Sequence, residues 1–202
     1  MSAVNAAATL TTRGLTVGYS NQTVCAIPDL ELSPGTIWLF TGSNGSGKTT
    51  LLKTLAGLLP PVSGSISPAP QAGKGGSVFV HSVPVLFRGS LRHNLALSEH
   101  DSRKVAATAA EFGLADRLDQ PARELSHGLR QRAALVRAIL ARPRVLLLDE
   151  PEGGLDQSAL ETFQSFAARA VNDRNLIVVV AAHRPSGLSG LPVATYNLTT
   201  HN

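Results

Sequence analysis

The residues best suited to chemistry in this 202-residue chain lie in a glycine-rich loop that ends in a lysine and a threonine. Residues 42–49 read Gly-Ser-Asn-Gly-Ser-Gly-Lys-Thr and fit the phosphate-loop pattern G-x-x-x-x-G-K-[ST]. Glycines let the backbone curl so that successive N–H groups face a phosphate, and the N-terminus of a following helix adds partial positive charge. Lys48 would bring a full positive charge to the outer phosphates, and Thr49 would offer its hydroxyl to Mg²⁺.

The segments around this loop have the order that such a loop requires. An apolar strand is predicted over 36–40, directly before it. The helix predicted after it carries leucines at three- and four-residue spacing, namely Leu51, Leu55, Leu58 and Leu59. Pro60 and Pro61 end the helical pattern.

Two acidic residues follow a second apolar strand. Residues 145–148 are four consecutive aliphatics, which is typical of a central parallel strand covered on both faces. Ligands of open α/β sheets bind at the carboxyl ends of strands, where Asp149 and Glu150 stand. Asp149 would hold Mg²⁺, directly or through water, and Glu150 is placed to polarise a water molecule against the γ-phosphate.

A third motif separates this chain from most other proteins with a phosphate loop. Residues 125–132 read Leu-Ser-His-Gly-Leu-Arg-Gln-Arg, before a predicted helix that ends at Pro143. Ser126 is a good N-cap, and the free N–H groups after it form a second anion site. The segment resembles the signature motif of ATP-binding-cassette (ABC) ATPases, in which Leu-Ser-Gly-Gly-Gln stands shortly before the magnesium strand. The resemblance extends from Tyr19 to His183.

This resemblance implies roles for three further residues. Tyr19 matches the aromatic side chain that stacks on adenine. Asp156 matches the loop that links the two active sites of a dimer. His183, which follows an apolar strand over 176–182, matches the switch histidine that contacts the γ-phosphate and helps to hold Glu150 and the attacking water.

The predicted site therefore has catalytic, nucleotide-binding and metal-binding members. Catalysis is assigned to Lys48, Glu150 and His183. The ATP-binding residues are Tyr19, Gly42, Ser43, Asn44, Gly45, Ser46, Gly47, Lys48, Thr49, Thr50, Ser126 and Gly128. The Mg²⁺ ligands are Thr49, Asp149 and Ser82.

Ser82 marks the first departure from the family pattern. Family members usually have a glutamine at a strand end between the phosphate loop and the signature motif, where it contacts Mg²⁺ and the attacking water. Alignment on Pro84 places Ser82 there, with His81 beside it. A serine is too short to reach the metal directly, so a water intervenes, or His81 substitutes, or neither residue touches the nucleotide.

The signature motif itself is the second departure. His127 replaces a glycine and Leu129 replaces the glutamine. Ser126 and Gly128, which make the phosphate contacts in the family, remain. We therefore expect function to be retained, with an altered rate and altered coupling.

Composition agrees with one globular domain. The chain is 43% hydrophobic and 16% charged, which is enough for one core. The single cysteine, Cys25, excludes an internal disulfide and fits a reducing compartment. No apolar run approaches the ~20 residues of a membrane span, and the start has no secretory-signal pattern. A net charge of +4 without aromatic-basic interleaving argues against nucleic-acid binding.

Alternating strands and helices predict the fold class. We expect α/β, with a phosphate-loop NTPase core, a mostly parallel sheet, an N-terminal antiparallel β part and a small inserted helical subdomain. A single ABC ATPase domain would occupy 1–202. Its core would comprise 10–84 and 126–202, and the helical subdomain would cover about 85–125.

The function implied by the resemblance is ATP hydrolysis in a head-to-tail dimer, homomeric or heteromeric, that drives a separate membrane-spanning transporter subunit. Such a protein would be cytoplasmic and peripheral on the inner face of the membrane. Family members receive a helix of the membrane subunit at the position of 85–87, although these three apolar residues could equally be core. The alternatives are a soluble ABC ATPase of the iron–sulfur assembly type and a regulatory nucleotide-binding subunit with weak hydrolysis.

Overall fold

The computed structural model describes residues 9–20, 22–153, 157–173, 175–183 and 186–198. The strands in these ranges are β1 (Leu10–Tyr19), β2 (Gln22–Ala26), β3 (Leu30–Leu32), β4 (Ile37–Thr41), β5 (Ser63–Ser67), β6 (Ser77–Val80), β7 (Val145–Asp149), β8 (Ile177–Ala181) and β9 (Val193–Asn197). The helices are α1 (Lys48–Leu55), α2 (Leu91–Ala96), α3 (Ser102–Glu111), α4 (His127–Leu140) and α5 (Gln157–Asn172). Short 3-10 turns occur at Ala115–Arg117, Ala122–Glu124 and Ser186–Leu188.

The larger sheet is parallel, with the strand order β6-β7-β8-β4-β9. Its central strands are buried on both faces because successive side chains point to opposite sides. In β7, Leu147 joins a core shared with α1, whereas Leu146 and Leu148 join the core on the other face. The continuous apolar run at 145–148 is thus a doubly covered strand, as predicted.

The smaller sheet is antiparallel, and β1 pairs in it with β2, β3 and β5. Its Leu15 and Val17 share a core cluster with Leu51 and Leu52 of α1 and with Leu147 of the parallel sheet. The helix therefore lies among residues of both sheets. This mixed architecture confirms the predicted fold class.

Two helices end earlier than the sequence pattern predicts. The leucine pattern runs to Leu59, but α1 ends at Leu55 because Gly57 adopts a left-handed φ of +73° and closes the helix. Leu58 is consequently 52% exposed. Helix α3 likewise stops at Glu111, within the helical spacing of Val105, Ala109 and Phe112, because Gly113 follows with a left-handed φ of +65°.

The inserted segment between β6 and α4 is helical. Leu91 and Leu95 of α2 and Val105 of α3 are buried in one cluster with apolar residues of α4. Asp101 caps α3 by accepting from the N–H groups of Arg103 and Lys104, a typical N-cap arrangement. Within the described ranges, no helix combines the length and the apolar character needed to cross a bilayer.

Strand order decides where the site lies. In a parallel sheet the carboxyl ends of the strands share one edge. The ends of β4, β7 and β8 are neighbours at that edge. The phosphate loop follows β4, the two acids stand at the end of β7, and His183 follows β8.

Candidate nucleotide site

The phosphate loop joins β4 to α1 and rests on the antiparallel sheet. Gly47 is the N-cap of α1, with a φ of +96°, and a Cβ added there would lie 2.6 Å from Cys25 Sγ. Only glycine satisfies both the backbone angle and this close approach. Burial raises the pKa of the Cys25 thiol, so the side chain acts as a neutral packing group beneath the loop.

Lys48 braces the loop from within. Its Nζ donates to the carbonyl oxygens of Gly42 (2.8 Å) and Ser43 (3.1 Å). The ammonium group thus lies at the loop, in a residue that is only 6% exposed. A positive charge held among glycine-rich backbone suits a phosphate group.

Ser46 supplies a direct test of whether the loop fits a phosphate. Its side-chain oxygen is buried and has no hydrogen-bond partner among the described residues. A buried polar group without a partner is costly, and a phosphate oxygen could accept its hydrogen bond. The residues of the loop therefore fit a nucleotide phosphate.

Thr49 and Asp149 meet at the start of α1. Thr49 Oγ1 donates to Asp149 Oδ2 at 2.8 Å, although the residues are 100 positions apart, and Asp149 is buried. Hydroxyl and carboxylate oxygens are ligands that Mg²⁺ prefers. The described residues contain no group of three or more His, Cys, Asp or Glu placed to hold a metal, so an ion here would need water and phosphate oxygens as well, which is the usual manner of Mg²⁺ binding.

Glu150 and His183 face each other beside the loop. Glu150 Oε1 lies 3.4 Å from His183 Nε2, and the same nitrogen lies 2.6 Å from Asn44 Oδ1. Glu150 has a φ of +47°, which is strained for a residue with a side chain, and its N–H donates to Ala181 O at 2.8 Å. A carboxylate, an imidazole and an amide thus converge from three strand ends.

Tyr19 lies at the end of β1 and is 47% exposed. Its hydroxyl accepts from Thr50 Oγ1 at 3.4 Å, so its ring belongs to the rim of the site near α1. An exposed ring in this place is available for stacking on a base.

Ser126 caps α4 as the sequence indicates. Its Oγ accepts from the N–H of Leu129 at 3.3 Å, and its carbonyl oxygen accepts from the N–H of Arg130 at 2.9 Å. Both bonds stay within the start of its own helix, and Gly128 lies in the first turn of that helix. The structure does not bring Ser126 or Gly128 into hydrogen-bond contact with the phosphate loop.

Ser82 and His81 contact each other at the end of β6. His81 Nδ1 accepts from the N–H of Val83 at 3.0 Å and lies 3.3 Å from Ser82 Oγ. The imidazole packs edge-on against Phe79, with ring centroids 5.7 Å apart. Neither residue bonds to Thr49 or Asp149, so the assignment of Ser82 as a metal ligand stays a prediction. Asp156 lies outside the described residues.

The apolar segment at 85–87 is held by a buried asparagine that the sequence reasoning missed. Asn94 of α2 is fully buried. Its Oδ1 accepts from the N–H of Phe87 (2.7 Å), and its Nδ2 donates to the carbonyl oxygens of Phe87 and Ser90 (3.0 Å each). In the sequence, Asn94 lies between Leu91 and Leu95, and a polar residue among leucines in a short helix indicates a buried hydrogen-bonding role.

Arg137 of α4 holds the same segment from the other side. Its Nη2 donates to Val85 O at 2.8 Å, and its guanidinium lies 5.5 Å from the centroid of the Phe87 ring. Burial lowers the pKa of this arginine. Val85 and Phe87 are 60% and 57% exposed, so these two side chains lie outside the core. Leu86 between them is partly buried and packs against the main apolar cluster, so the core alternative holds for that residue alone. In the sequence, Arg137 follows Ala133 by four residues, so helical periodicity places this arginine on the apolar face of α4.

These features define a class of protein. A phosphate loop after a parallel strand, an acidic pair at the end of a parallel strand two positions away in the sheet and a serine-capped helix upstream of that pair describe a phosphate-loop nucleotide hydrolase. The family model described as "ABC transporter" matches residues 26–153. The chain belongs to this family.

Known proteins agree with this membership. The thiamine import ATP-binding protein ThiQ of Vibrio cholerae is 33% identical over 173 residues, which cover 78% of this chain and 73% of ThiQ. The cytochrome c biogenesis ATP-binding export protein CcmA of Novosphingobium aromaticivorans is 38% identical over 160 residues, 79% of this chain and 80% of CcmA.

A solved ATP-binding subunit of an ABC transporter superposes with a TM-score of 0.81, covering 95% of this chain and 86% of that one. At 23% identity this likeness shows the fold. Together with the family membership, the relatives identify the chain as an ATP-binding, ATP-hydrolysing subunit of the ABC type.

Proposed function

We propose that two copies of this subunit, or one copy and a homologue, close head to tail on two ATP molecules, and that this closure powers a membrane-spanning transporter subunit. The observation that carries the proposal is the separation of two predicted anion sites, one at the phosphate loop and one at the start of α4. The phosphate loop, Asp149 and Glu150 share one sheet edge, whereas the hydrogen bonds of Ser126 to other described residues stay at the start of α4. A second copy would bring such a cap to each nucleotide.

The chemistry within one copy follows from the geometry. Lys48 would move from loop carbonyls to phosphate oxygens, offsetting their charge. Mg²⁺ held by Thr49 and Asp149 would neutralise further charge on the β- and γ-phosphates. Glu150 would accept hydrogen bonding from the attacking water, and His183 would donate to the γ-phosphate.

The proposed contact of Ser126 with a second copy's nucleotide makes a testable prediction. Ser126→Ala should lower ATP turnover at least tenfold because a donor to the γ-phosphate is lost. It should also cost about 1 kcal/mol of stability through the lost N-cap. Turnover and thermal unfolding measure the two effects separately.

Ser90→Ala provides the matched control. Ser90 caps α2 with the same bond, its Oγ accepting from the N–H of His93 at 3.2 Å. This variant should lose similar stability and keep its turnover. Equal turnover losses in both variants would assign Ser126 a purely structural role.

The docking surface, defined as the exposed side chains of Val85 and Phe87, is the proposed contact with the membrane subunit. Asn94 and Arg137 fix the backbone of this segment from two helices, so the apolar side chains are preorganised for a partner. The adjoining groove, of about 1070 Å³, is lined in part by Arg88, Arg123 and Arg130. The lining also includes Asp119, whose charge is paired with Arg92. We therefore propose a partner segment that is apolar on one face and carries a carboxylate beside it.

Phe87→Asp tests the docking surface. Because the side chain is mostly exposed, the isolated variant should stay folded and keep its basal ATP turnover. Stimulation of turnover by the membrane partner should fall about tenfold or more, since a charge would enter an apolar contact. Leu58→Asp, at an exposed leucine just after the end of α1, is the control and should keep partner stimulation. Unfolding of Phe87→Asp alone would contradict the docking assignment.

An affinity capture identifies the partner. Tagged protein with ATP is recovered from detergent-solubilised cells, together with the Phe87→Asp and Leu58→Asp variants. We expect a multi-span membrane protein that the wild type and Leu58→Asp retain and Phe87→Asp loses. This would place the protein at the periphery of the cytoplasmic face of the membrane. Recovery of a soluble partner alone would instead favour the iron–sulfur assembly type of ABC ATPase.

The domain organisation belongs to the same proposal. A single ABC ATPase domain would span 1–202, with its core at 10–84 and 126–202. The helical subdomain at about 85–125 would carry the docking surface near its first residues. The subdomain would end just before Ser126. Movement of the docking surface would then be transmitted to the cap through α4, to which Arg137 ties it.

A further inference from the structure

The side chain of Asn44 meets the imidazole of His183 across the site. Asn44 Oδ1 lies 2.6 Å from His183 Nε2, and Glu150 Oε1 lies 3.4 Å from the same nitrogen. An amide oxygen and a carboxylate oxygen accept hydrogen bonds, so the nitrogen between them must carry a proton. If the Asn44 amide were rotated so that its Nδ2 faced the histidine, His183 Nε2 would have to accept a hydrogen bond from it. The lone pair of Nε2 would then also face the Glu150 carboxylate. The geometry therefore selects the tautomer of His183 protonated at Nε2.

Backbone bonds of the parallel sheet hold these groups in place. The N–H of Glu150 donates to Ala181 O (2.8 Å), and the N–H of Ala182 donates to Phe40 O (3.1 Å). Asn44 belongs to the loop that begins just after β4, where Lys48 bridges two carbonyl oxygens. The three side chains thus extend from anchored strand ends, and their separation follows from the order of the strands.

We infer that Asn44 is a positioning residue, which holds His183 with Nε2–H beside the phosphate loop and keeps the ring from turning wholly to Glu150. This inference rests on the proposed function. An oxygen of the terminal phosphate of ATP replaces Asn44 Oδ1 as the acceptor of the same proton, so neither a change of tautomer nor a ring flip is required. Glu150 keeps its carboxylate available for the attacking water.

The kinetic test compares Asn44→Ala, His183→Ala and the double variant. Asn44→Ala should lower kcat about tenfold, the effect of one lost hydrogen bond. Its KM for ATP should change less than about twofold, because the proposed phosphate contacts come from the loop backbone, Lys48 and Ser46 and not from the Asn44 side chain. The double variant should be no slower than His183→Ala, since Asn44 acts through the histidine. Multiplied losses in the double variant would overturn the inference.

The spectroscopic test reads the tautomer in the protein without nucleotide. Ring ¹⁵N signals are recorded for the six histidines. The signals of His183 are identified as those missing from the spectrum of His183→Ala. The wild type should show His183 protonated at Nε2, and Asn44→Ala should show both tautomers. An unchanged tautomer in Asn44→Ala would overturn the inference even if hydrolysis were slow, and this readout does not depend on the proposed function.

Discussion

Glu150→Gln should lower ATP turnover by about 10²–10³-fold and leave ATP binding close to that of the wild type. Glutamine keeps the size of the side chain and its approach to His183, 3.4 Å in the native protein. It cannot take a proton from the attacking water, and general-base catalysis of this kind contributes roughly that factor. Phosphate release under saturating ATP measures the turnover, and a fluorescent nucleotide measures the binding.

The control for this prediction is Glu161→Gln. Glu161 lies exposed on α5 and accepts from Gln157 within its own helix. Its loss should leave turnover unchanged. Full turnover in Glu150→Gln would remove Glu150 from the catalytic role, whereas a loss of ATP binding as large as the loss of turnover would make it a binding residue.

Lys48→Ala should weaken ATP binding and lower turnover by about 10²–10³-fold. The ammonium group offsets charge that grows on the phosphates in the transition state, and removal of one such group costs about that much. The variant also loses the two bonds from Nζ to Gly42 O and Ser43 O, so the loop loses its internal brace. Turnover and binding are measured as for Glu150.

Lys53→Ala is the matched control, since Lys53 is the basic residue of the last turn of the same helix. It should bind and hydrolyse ATP like the wild type, with only a small change in helix stability. Normal ATP affinity in Lys48→Ala would show that the loop backbone alone holds the phosphates. A similar loss in both variants would point to general damage to α1.

Features that depend on neighbouring residues could be predicted from the sequence. The glycines of the phosphate loop and the N-cap at Ser126 are local patterns, and the structure shows both. The end of α1 was not predicted because the leucine spacing continues past Leu55. The left-handed turn at Gly57 outweighs that spacing, since a helix cannot continue through it.

Contacts between distant residues were predicted only where strand order dictated them. Thr49 and Asp149 meet because the loop and helix that follow β4 lie at the same sheet edge as the carboxyl end of β7. The bond between Asn44 and His183 depends on which way two side chains turn, and neither composition nor spacing encodes that. The clamp on Phe87 by Asn94 is of the same kind, because it joins a loop to a helix through backbone groups.

The structural consequences of the departures from the family pattern also depend on side-chain contacts that the sequence does not encode. Replacement of glutamine by Ser82 was visible in the sequence, but its consequence depends on where His81 points. In the structure His81 Nδ1 accepts a hydrogen bond from the N–H of Val83, two residues further along the chain. Ser82 Oγ lies 3.3 Å from the same nitrogen. The possibility that a water completes the path from Ser82 to the metal stays a prediction.

If each nucleotide lies between two copies of the protein, the oligomeric state of Glu150→Gln should differ with and without Mg²⁺-ATP. Light scattering after size-exclusion chromatography should show one chain without nucleotide and twice that mass with ATP. The same variant carrying Ser126→Ala should form the dimer much more weakly. A single chain at ATP concentrations that saturate binding would show that the nucleotide does not lie between two copies.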